Sequence, residues 1–540
     1  MTPDANFAAT LTDRARAQPH TAALIEPNGR RVTFAELASL FQRYAHGLER
    51  QGVRHGDRVL YMLRPSIDGY AVFYALLRIG AVPVLMDPRM GLRRLIGCIR
   101  TVRPRVIVAV PLVHAVRTFV RQPFAAAEVL ITAGRRWFWG GARLADCLSE
   151  NGSAENGTTA PEDASFLPFT SGSTGAPKGA FYNHAMLGAQ TAVMREVCGW
   201  REGMRVVMAY APFVPYALAD GLTTILPDMD FSRPAAAHPA MIARAITEHA
   251  AECAFGSPVI WMHLVRYCER RKITLPTLER AVTAGAPIGA DLHRRLRPLL
   301  HRDGRLFTPY GATEAMPLTT TNSAELSDTW SLVRRGYGTC LGQPLSGVDL
   351  RVIRITDDPL PAWSESLRVP DGTIGEIVAA GPLVSPRYPD RPADDARAKI
   401  RCDGRVLHRM GDLGWRDAEG GGRLWFCGRK SDRIETRQGM IPSQPLENVL
   451  NEHPAVFRSA VVGIGTRPDQ RVVACVELEP GQRFSARLAN ELAALPDGTR
   501  FERVIARFLP HSGFPVDARH NSKIRRDALA VWAERRCARS

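Results

Sequence analysis

A loop rich in glycine and hydroxyl side chains is the part of the sequence best suited to chemistry. It follows a short apolar run, Ser165 to Phe169, and precedes a stretch from Asn183 with helical character. Glycines let backbone N–H groups approach an anion, hydroxyls add donors, and Lys178 supplies a mobile positive charge, which together suit phosphate. The candidate phosphate-binding residues are Thr170, Ser171, Gly172, Ser173, Thr174, Gly175 and Lys178.

A flexible turn is the alternative interpretation of this loop, because glycine and serine clusters also mark ordinary turns. The loop also differs from a Walker A sequence, since Ala-Pro-Lys follows Gly175. The preceding strand and Lys178 favour phosphate binding over a plain turn.

The elements around the loop predict how it is positioned. Apolar runs at Asp57–Leu63, Ala81–Met86 and Arg105–Val110 alternate with helical stretches at Val32–Val53 and Tyr70–Ile79. Strands that alternate with helices indicate a parallel sheet covered by helices on its faces. We therefore predict an α/β fold with a large N-terminal domain of layered sheets and helices.

The alternation continues to about Phe426, and the elements then become short. A helix around Gln444–Asn451 and strands at Ser459–Ile464 and Val472–Leu478 are followed by another helix and a last strand near Phe501–Phe508. These elements suffice for a small domain of about a hundred residues. We predict two domains, residues 1–427 and a small α+β domain at residues 428–540.

Composition excludes several classes of protein. Of the 540 residues, 45% are hydrophobic and 23% are charged, an ordinary balance for a globular chain. The ten cysteines form no C-x-x-C pair and no zinc-ligand spacing, so a reducing cytoplasm is the expected location. The N-terminus lacks a signal-peptide core and no later stretch has the apolar length of a membrane span, so we expect no transmembrane segment.

The formal net charge of +16 raises the question of a polyanionic partner. Arginines are spread along the whole chain, and short clusters such as Arg135-Arg136 belong to no recognisable DNA-binding module. We therefore expect a solvated basic surface and no nucleic-acid partner.

Further motifs stand in order along the chain. They are GAVPVLMDP at Gly80–Pro88, TAGAP at Thr283–Pro287, YGATE at Tyr310–Glu314, MGDLG at Met410–Gly414, Gly428-Arg429, and NSKI at Asn521–Ile524. Together with the loop TSGSTGAPKG, they resemble the signature motifs of the adenylate-forming superfamily, which contains acyl-CoA synthetases, luciferases and the adenylation domains of peptide synthetases. One difference is Leu85, which stands where the superfamily usually has proline.

The resemblance implies a cytoplasmic ligase that uses ATP and Mg²⁺ to activate a carboxylic acid as an acyl-adenylate. Asp412 and Arg429 would bind the ribose, and the ring of Tyr310 would stack on adenine. Lys523, on a mobile C-terminal lid domain, would bridge the attacking carboxylate and the α-phosphate. The implied catalytic residues are Lys523, Lys178, Thr313 and Glu314, and Glu314 is also the implied metal ligand. Beyond the loop, the implied ATP-binding residues are Gly285, Ala286, Pro287, Tyr310, Gly311, Ala312, Thr313, Asp412 and Arg429.

Three sequence runs are similar to a narrower group, the β-lactone synthetases of bacterial long-chain olefin biosynthesis. They are ILPDMDFSRPA at Ile225–Ala235, KGAFYNH at Lys178–His184 and DARHNSKIR at Asp517–Arg525. This likeness implies a 2-alkyl-3-hydroxyalkanoic acid that is adenylated and then attacked by its own 3-hydroxyl to close a β-lactone. It also suggests a complex with other enzymes of the olefin pathway.

The chain departs from the thioester-forming members of the superfamily in three places. Ala211–Gly221 contains no histidine, Ser431 takes the hinge position, and Gly439–Glu447 lacks the usual arginine and first glutamate. The alternative function is a long-chain fatty acyl-CoA ligase, or an acyl-AMP ligase that feeds a carrier protein.

A β-hydroxy fatty acid requires an apolar pocket, because sites for alkyl chains are lined mainly by hydrophobic and aromatic residues. Ordinary core positions are the alternative for these side chains. His184 is a candidate base for lactone closure, since it lies near the phosphate loop in sequence. The candidate pocket residues are Phe213, Tyr216, Phe255 and Trp261.

Overall fold

The computed structural model describes residues 6–148, 159–170, 177–516 and 524–538. Two largely parallel sheets fill the first part of the chain, as the alternation of strands and helices predicts. The elements up to residue 307 are α1 (Ala9–Ala17), β1 (Ala22–Ile25), β2 (Arg31–Thr33), α2 (Phe34–Arg50), β3 (Arg58–Met62), α3 (Ile67–Ile79), β4 (Val82–Leu85), α4 (Leu92–Val102), β5 (Val106–Ala109), α5 (Pro111–Phe119), β6 (Val129–Thr132), β7 (Ala142–Arg143), β8 (Ala164–Thr170), β9 (Lys178–Gly179), β10 (Tyr182–Asn183), α6 (His184–Cys198), β11 (Arg205–Met208), α7 (Val214–Ala219), β12 (Thr223–Ile225), α8 (Pro239–Glu248), β13 (Cys253–Gly256), α9 (Pro258–Arg271), β14 (Arg280–Thr283), α10 (Ala290–Leu296) and β15 (Arg305–Phe307).

The first sheet has the strand order β15-β14-β13-β11-β12-β1-β2, and the second has the order β10-β8-β4-β3-β5-β6-β7, with β9 paired to β8. Apart from β2, β9 and β10, the strands of both sheets pair in parallel. Because parallel strands end at the same edge, the loops that follow them within each sheet share that edge.

Local sequence signals explain where the helices begin and end. Thr33 caps α2, because its hydroxyl accepts the Glu36 N–H at 3.2 Å while the Glu36 carboxylate accepts the Thr33 N–H at 2.8 Å. The helix predicted from Val32 therefore begins two residues later, since Val32 and Thr33 pair with β1. At the other end of its helix, Gly80 closes α3 with φ of +76°, a conformation that glycine adopts without strain.

The largest apolar core lies between the first two sheets. It combines Phe41 of α2 and Tyr74 of α3 with Leu218 of α7, and it reaches Val108 of the second sheet and Val206 of the first. All five side chains are buried. Each such side chain contributes about 1.5–3 kcal/mol on burial, so this core fixes the two sheets as packed layers.

Residues 310–429 differ from the prediction. The sequence pattern predicted alternating strands and helices up to about Phe426, but this region is a third sheet of antiparallel strands, because short apolar runs do not distinguish the two arrangements. Its strand order is β16-β17-β18-β23-β22-β20-β19, with β21 paired to β22. Its elements are β16 (Tyr310–Ala312), β17 (Ala315–Thr320), α11 (Ser323–Ser327), α12 (Trp330–Arg334), β18 (Thr339–Pro344), β19 (Asp349–Ile353), β20 (Gly375–Ala380), α13 (Pro392–Ala398), β21 (Lys399–Cys402), β22 (Arg405–Asp417) and β23 (Arg423–Arg429).

The C-terminal part has small sheets and cores of its own. Its elements are β24 (Ile434–Thr436), β25 (Gly439–Ile441), α14 (Ser443–Leu450), β26 (Val456–Ile464), β27 (Arg471–Leu478), α15 (Ala486–Ala494), β28 (Ile505–Pro510) and α16 (Arg526–Ala538). The strands β26-β27-β28 form one sheet, with α14 and α15 packed on one face and α16 on the other. This α+β arrangement agrees with the predicted fold class, while the boundary at residue 428 and the mobility of this part stay predictions.

No helix in the described ranges combines the length and the hydropathy required to cross a membrane.

A buried group of three charges joins the third sheet to the segment that leads into the C-terminal part. Arg409 and Glu376 are 3% and 1% exposed, with 2.6 Å between guanidinium and carboxylate. Lys430 places its ammonium 3.0 Å from the same carboxylate. Arg409 also donates to the carbonyls of Asp358 and Thr356, so main-chain oxygens help to stabilise its buried charge. Removal of Glu376 would leave two cations without their shared counter-ion.

We expect Glu376→Ala to lower the free energy of unfolding by about 3–5 kcal/mol, because the buried Arg409 then has no carboxylate partner. Lys430 would keep only one ion pair, its 3.9 Å contact with Asp357. Urea denaturation followed by tryptophan fluorescence measures this, since the stacked rings of Trp415 and Trp425 report on the third sheet. Glu365→Ala is the control, because its ion pair with Arg368 is exposed at 4.0 Å and contributes about 0–1 kcal/mol. Equal effects of the two substitutions would contradict the role of the buried group.

Candidate active site

The two ends of the predicted phosphate loop meet at the end of β8. Thr170 of β8 pairs with Lys178 of β9, and Phe169 pairs with Gly179. Ser171, Gly172, Ser173, Thr174 and Gly175 lie outside the described residues. The loop therefore leaves and re-enters the second sheet at its carboxyl edge, with Lys178 at the return point. Asn183 then caps α6 by accepting the N–H of Met186. The predicted strand and helix are present as β8 and α6, with the short strands β9 and β10 between them.

Lys178 belongs to a cluster of charges that spans the second and third sheets. Its ammonium lies 2.8 Å from a carboxylate oxygen of Asp394 on α13 and 5.3 Å from the ring centre of Tyr388. The ammonium of Lys399 lies 5.1 Å from the same ring. The Tyr388 hydroxyl donates to the Glu314 carboxylate at 2.8 Å. One tyrosine thus contacts the loop lysine, a second lysine and the predicted metal ligand.

Burial controls the electrostatics of this cluster. Lys399 is 8% exposed, and burial lowers its pKa to about 8, against the opposing effects of Glu314 and Asp395. Burial raises the pKa of Tyr388, and the Glu314 carboxylate raises it further. Burial also raises the pKa of Asp395, which accepts the Tyr388 N–H at 2.7 Å. The Tyr388 hydroxyl therefore stays protonated and acts as a donor to Glu314.

No sequence motif predicts Tyr388, Asp394 or Lys399 as site residues. They lie in a polar stretch, Arg387–Lys399, without a glycine-rich turn or an apolar period that would single them out. Only the fold brings this stretch against the end of β8, where the Arg391 guanidinium donates to the Pro177 carbonyl at 3.3 Å.

Thr313 and Glu314 form the tip of the turn between β16 and β17. Ala312 and Ala315 pair directly across it. The Tyr182 hydroxyl donates to the Thr313 carbonyl at 2.5 Å, and the Ser385 N–H donates to the Glu314 carbonyl at 2.8 Å. The turn is thereby tied to β10 on one side and to the segment after β20 on the other. Through Tyr388, the Glu314 carboxylate lies beside the loop lysine.

Asp412 and Arg429 are direct partners in the β22–β23 ladder. Asp412 is 4% exposed, and one of its carboxylate oxygens accepts the Tyr310 hydroxyl at 2.8 Å. The other oxygen lies 2.9 Å from an Arg429 nitrogen, yet it accepts no well-aligned hydrogen bond from any described residue. A buried acceptor of this kind suits the hydroxyl donors of a ribose. Burial and the neighbouring carboxylate of Asp412 raise the pKa of Tyr310, so its hydroxyl stays protonated.

Gly285, Ala286 and Pro287 follow β14, while Tyr310 begins β16 just after β15. Since β14 and β15 are adjacent parallel strands, both segments lie at the carboxyl edge of the first sheet. Gly285 has φ of +102°, which explains a glycine there. At Gly311 a Cβ atom would lie 2.6 Å from the Ala315 carbonyl oxygen, so only glycine fits the turn.

Three of the four predicted pocket residues come together. Phe213 stacks on Phe255 at 4.6 Å and lies 5.7 Å from Tyr216, and all three are buried. The Tyr216 hydroxyl donates to the side-chain oxygen of Gln190 at 2.8 Å, and the amide of Gln190 donates to the Met316 carbonyl at 3.2 Å. This chain of contacts connects the aromatic group to the strand that follows Glu314.

Trp261 does not join this aromatic group. It is 1% exposed and packs in a separate core with Ala254, whereas Phe255 points to the opposite face of β13. Its indole N–H donates to the Val282 carbonyl at 3.0 Å. The structure thus places Trp261 between α9 and the first sheet, as a packing residue.

His184 is also buried, at 3% exposure. Its Nδ1 accepts the N–H of Phe7 at 3.0 Å, which ties the start of α6 to the N-terminal segment. Lys523 lies outside the described residues. Its position, the roles of the individual site residues and the pocket assignment stay predictions.

The chain belongs to the AMP-binding enzyme family, whose model matches residues 11–389. It is 39% identical to the olefin β-lactone synthetase of Xanthomonas campestris, over 99% of this chain and 98% of that protein. It is also 39% identical to the olefin β-lactone synthetase of Stenotrophomonas maltophilia, over 98% of both chains. These findings confirm the resemblance that the sequence motifs indicated.

A solved structure shows the same fold. The anthranilate CoA ligase AuaEII in complex with anthranoyl-AMP superimposes with a TM-score of 0.81 at 18% identity, covering 99% of this chain and 98% of that chain. The layered α/β fold with a smaller C-terminal α+β part is therefore confirmed.

We expect Tyr388→Phe to lower kcat/KM for ATP–pyrophosphate exchange by about 10- to 100-fold, because a hydrogen bond to a charged group contributes about 1.5–3 kcal/mol. The ring, and hence its contacts with Lys178 and Lys399, is retained. The Mg²⁺ concentration that gives half-maximal activity should rise, since Glu314 loses the donor that orients it.

Tyr44→Phe is the matched control for this substitution. It removes a tyrosine hydroxyl on α2 that donates to the Asp68 carboxylate at 2.9 Å and contacts no member of the cluster in the described residues. An equal loss of exchange activity in both variants would show that the effect is one of general packing.

Proposed function

We propose that this protein uses ATP to adenylate a 2-alkyl-3-hydroxyalkanoic acid and then closes the β-lactone, with release of pyrophosphate and AMP. Identity over nearly the whole chain to olefin β-lactone synthetases carries the proposal. The charge cluster at the end of β8 supports it, because Lys178, Glu314 and Tyr388 meet where a nucleotide phosphate would lie.

The nucleotide is held from three directions in this proposal. The loop Thr170–Gly175 and Lys178 contact the phosphates, while Asp412 and Arg429 contact the ribose. The adenine lies against Tyr310 and the segment Gly285–Pro287. The buried Asp412 oxygen without a hydrogen bond from the described residues supports the ribose contact, because a sugar hydroxyl would satisfy it.

Adenylation brings two anions together, so the protein must mainly position them and neutralise charge. The substrate carboxylate attacks the α-phosphorus and pyrophosphate leaves. Lys178 and Lys523 stabilise the charge that grows on the phosphate oxygens. Mg²⁺, when bound, would neutralise further phosphate charge, and Glu314 is its proposed ligand with Thr313 beside it.

Lactone closure then needs no second substrate. The 3-hydroxyl oxygen bonds to the acyl carbon, the bond from that carbon to the AMP oxygen breaks, and the hydroxyl proton leaves. The enzyme's contribution is to hold the two atoms within attacking distance. The buried aromatic group of Phe213, Tyr216 and Phe255 is the proposed wall against which the alkyl chains pack.

One segment in which the chain differs from thioester-forming members of the superfamily has a structural role here. In Gly439–Glu447, the glutamate that is retained, Glu447, is 3% exposed and pairs with Arg526 at 2.5 Å. Its carboxylate also accepts the Val461 N–H at 2.9 Å. Glu447 therefore anchors the start of α16, three residues after Lys523.

Placement in the cytoplasm and association with other olefin-pathway enzymes remain further proposals.

Purified protein given ATP, Mg²⁺ and a synthetic 2-alkyl-3-hydroxy acid should yield β-lactone and AMP without coenzyme A, because the nucleophile is internal to the substrate. NMR of the product distinguishes the lactone from the alkene that forms on heating. The matching acid without the 3-hydroxyl should release pyrophosphate but give no lactone. A strict requirement for a thiol would instead support the acyl-CoA ligase alternative.

Lys523→Ala should lower kcat for adenylation by about 10²–10³-fold, the usual cost of removing one donor from a growing negative charge. Pyrophosphate release is the measurement, and circular dichroism checks that the fold is retained. Lys272→Asn removes an exposed lysine at the end of α9 and should leave the rate unchanged. Wild-type turnover in Lys523→Ala would rule out the role assigned to this lysine.

A further inference from the structure

Large apolar side chains are exposed at few places in the described residues, and most of these places belong to one region. The six exposed large hydrophobic residues are Leu92, Leu112, Phe119, Trp137, Phe138 and Val531. All except Val531 lie in connections of the second sheet. Phe119 is 83% exposed and Phe138 is 74% exposed, so most of their apolar surface faces solvent. Exposed apolar groups that cluster in this way mark interaction surfaces.

The topology places these residues along one margin of the second sheet. Leu92 begins α4 after β4, Leu112 lies at the start of α5 after β5, and Trp137 and Phe138 follow β6. These strands run parallel, so the connections leave from the same carboxyl edge. Phe119 is seven residues after Leu112 and shares its helix face. We call Leu92, Leu112, Phe119, Trp137 and Phe138 the apolar rim.

The phosphate loop leaves the same edge. β8 pairs in parallel with β4, and the order β8-β4-β3-β5-β6 separates the loop from β6 by four strand spacings. At about 4.8 Å per spacing, this is roughly 19 Å. The apolar rim and the predicted nucleotide site therefore lie along a single margin of the protein.

Trp137 and Phe138 are presented by an anchored loop. The next residue, Trp139, is buried and stacks on His114 of α5 at 5.9 Å. Its indole N–H donates to the Thr132 hydroxyl at 3.0 Å, and its carbonyl accepts from Arg117 at 3.2 Å. Because Trp139 fixes the loop, the exposure of its two aromatic neighbours is a built feature of the surface.

Positive charge accompanies the apolar rim. Residues 88–101, 110–127 and 133–142 contain no aspartate or glutamate. Within the described residues, Arg93, Arg94, Arg135 and Arg136 form no ion pair. Arg143, with a smaller contribution from Arg136, lowers the pKa of Asp146, so the charge of Arg136 is partly offset. The four arginines together still carry positive charge that complements an anionic surface. The arginines of the three segments are Arg89, Arg93, Arg94, Arg100, Arg117, Arg121, Arg135 and Arg136.

We propose that the apolar rim and these arginines dock the protein on the surface of an anionic lipid bilayer. Tryptophan, phenylalanine and leucine would enter the boundary between head groups and acyl chains, while arginine side chains reach the head-group phosphates. An acidic protein partner would satisfy the charges, but the aromatic and arginine combination on two separate connections favours a continuous lipid surface. Docking would place the carboxyl edge of the second sheet, and with it the predicted nucleotide site, beside the membrane. An acid with long alkyl chains partitions into that membrane.

Flotation with vesicles tests the proposal. The full chain should float with vesicles of phosphatidylcholine and phosphatidylglycerol, and weakly with phosphatidylcholine alone. Trp137→Ser combined with Phe138→Ser should lower the vesicle partition coefficient by roughly tenfold or more, because two aromatic side chains no longer enter the interface. Arg135→Ser combined with Arg136→Ser should lower it by about fivefold for each arginine.

Arg270→Ser combined with Arg271→Ser is the matched control, since it removes two exposed charges from the end of α9 near the first sheet. This control should bind the vesicles nearly as the wild type does. ATP–pyrophosphate exchange without vesicles should be unchanged in the rim variants, which separates failure of docking from failure of the proposed chemistry.

Any of three results would overturn the docking proposal. The first is wild-type protein that stays out of the vesicle fraction, and the second is rim variants that bind vesicles as the wild type does. The third is self-association, or binding to a purified protein, that depends on Trp137 and Phe138 while vesicles are not bound. That third result would identify the apolar rim as a protein–protein interface.

Discussion

Two ammonium groups share the ring of Tyr388, and the arrangement of the candidate site depends on this contact. Lys178 and Lys399 both lie within about 5 Å of the ring centre. Their mutual repulsion is offset by the π-electrons of the ring and by carboxylates at Glu314, Asp394 and Asp395. Because the Tyr388 hydroxyl also donates to the Glu314 carboxylate, this one side chain positions that carboxylate relative to the two ammonium groups. A polyphosphate, which carries several negative charges, would extend the same pattern of alternating charge.

The three sheets contribute different parts of this site. Parallel strands end at a common edge, so each of the first two sheets gathers the loops that follow its strands at one edge. The antiparallel third sheet places Asp412 opposite Arg429 and supplies the turn that carries Glu314. Buried ionic contacts, such as Arg409 with Glu376, hold this sheet in its fold while the segment beginning at Lys430 leads away from it.

In the proposed lactone closure, the nucleophile and the acyl carbon belong to the same substrate, which changes what the protein must provide. An internal nucleophile makes a channel or site for a thiol unnecessary, and exclusion of water from the acyl carbon becomes more important. The buried aromatic group and the absence of histidine from Ala211–Gly221 agree with such a closed, apolar environment. The apolar rim on the second sheet takes no part in this chemistry. Its proposed role is to bring the enzyme to the membrane in which a poorly soluble acid is found.

The sequence by itself determined the glycine-rich loop, the order of the motifs and the parallel first half of the fold, because these depend on local spacing. It also predicted Glu314, Asp412 and Arg429 as site residues, by residue type and position in a motif. Only the tertiary structure decided that Tyr388, Asp394 and Lys399 join Lys178, since they come from a polar stretch about two hundred residues later. It likewise separated Trp261 from Phe255, because α9 packs Trp261 against the face of β13 that carries Ala254, whereas Phe255 points to the opposite face. A short apolar strand does not by itself reveal which of its faces a later helix covers.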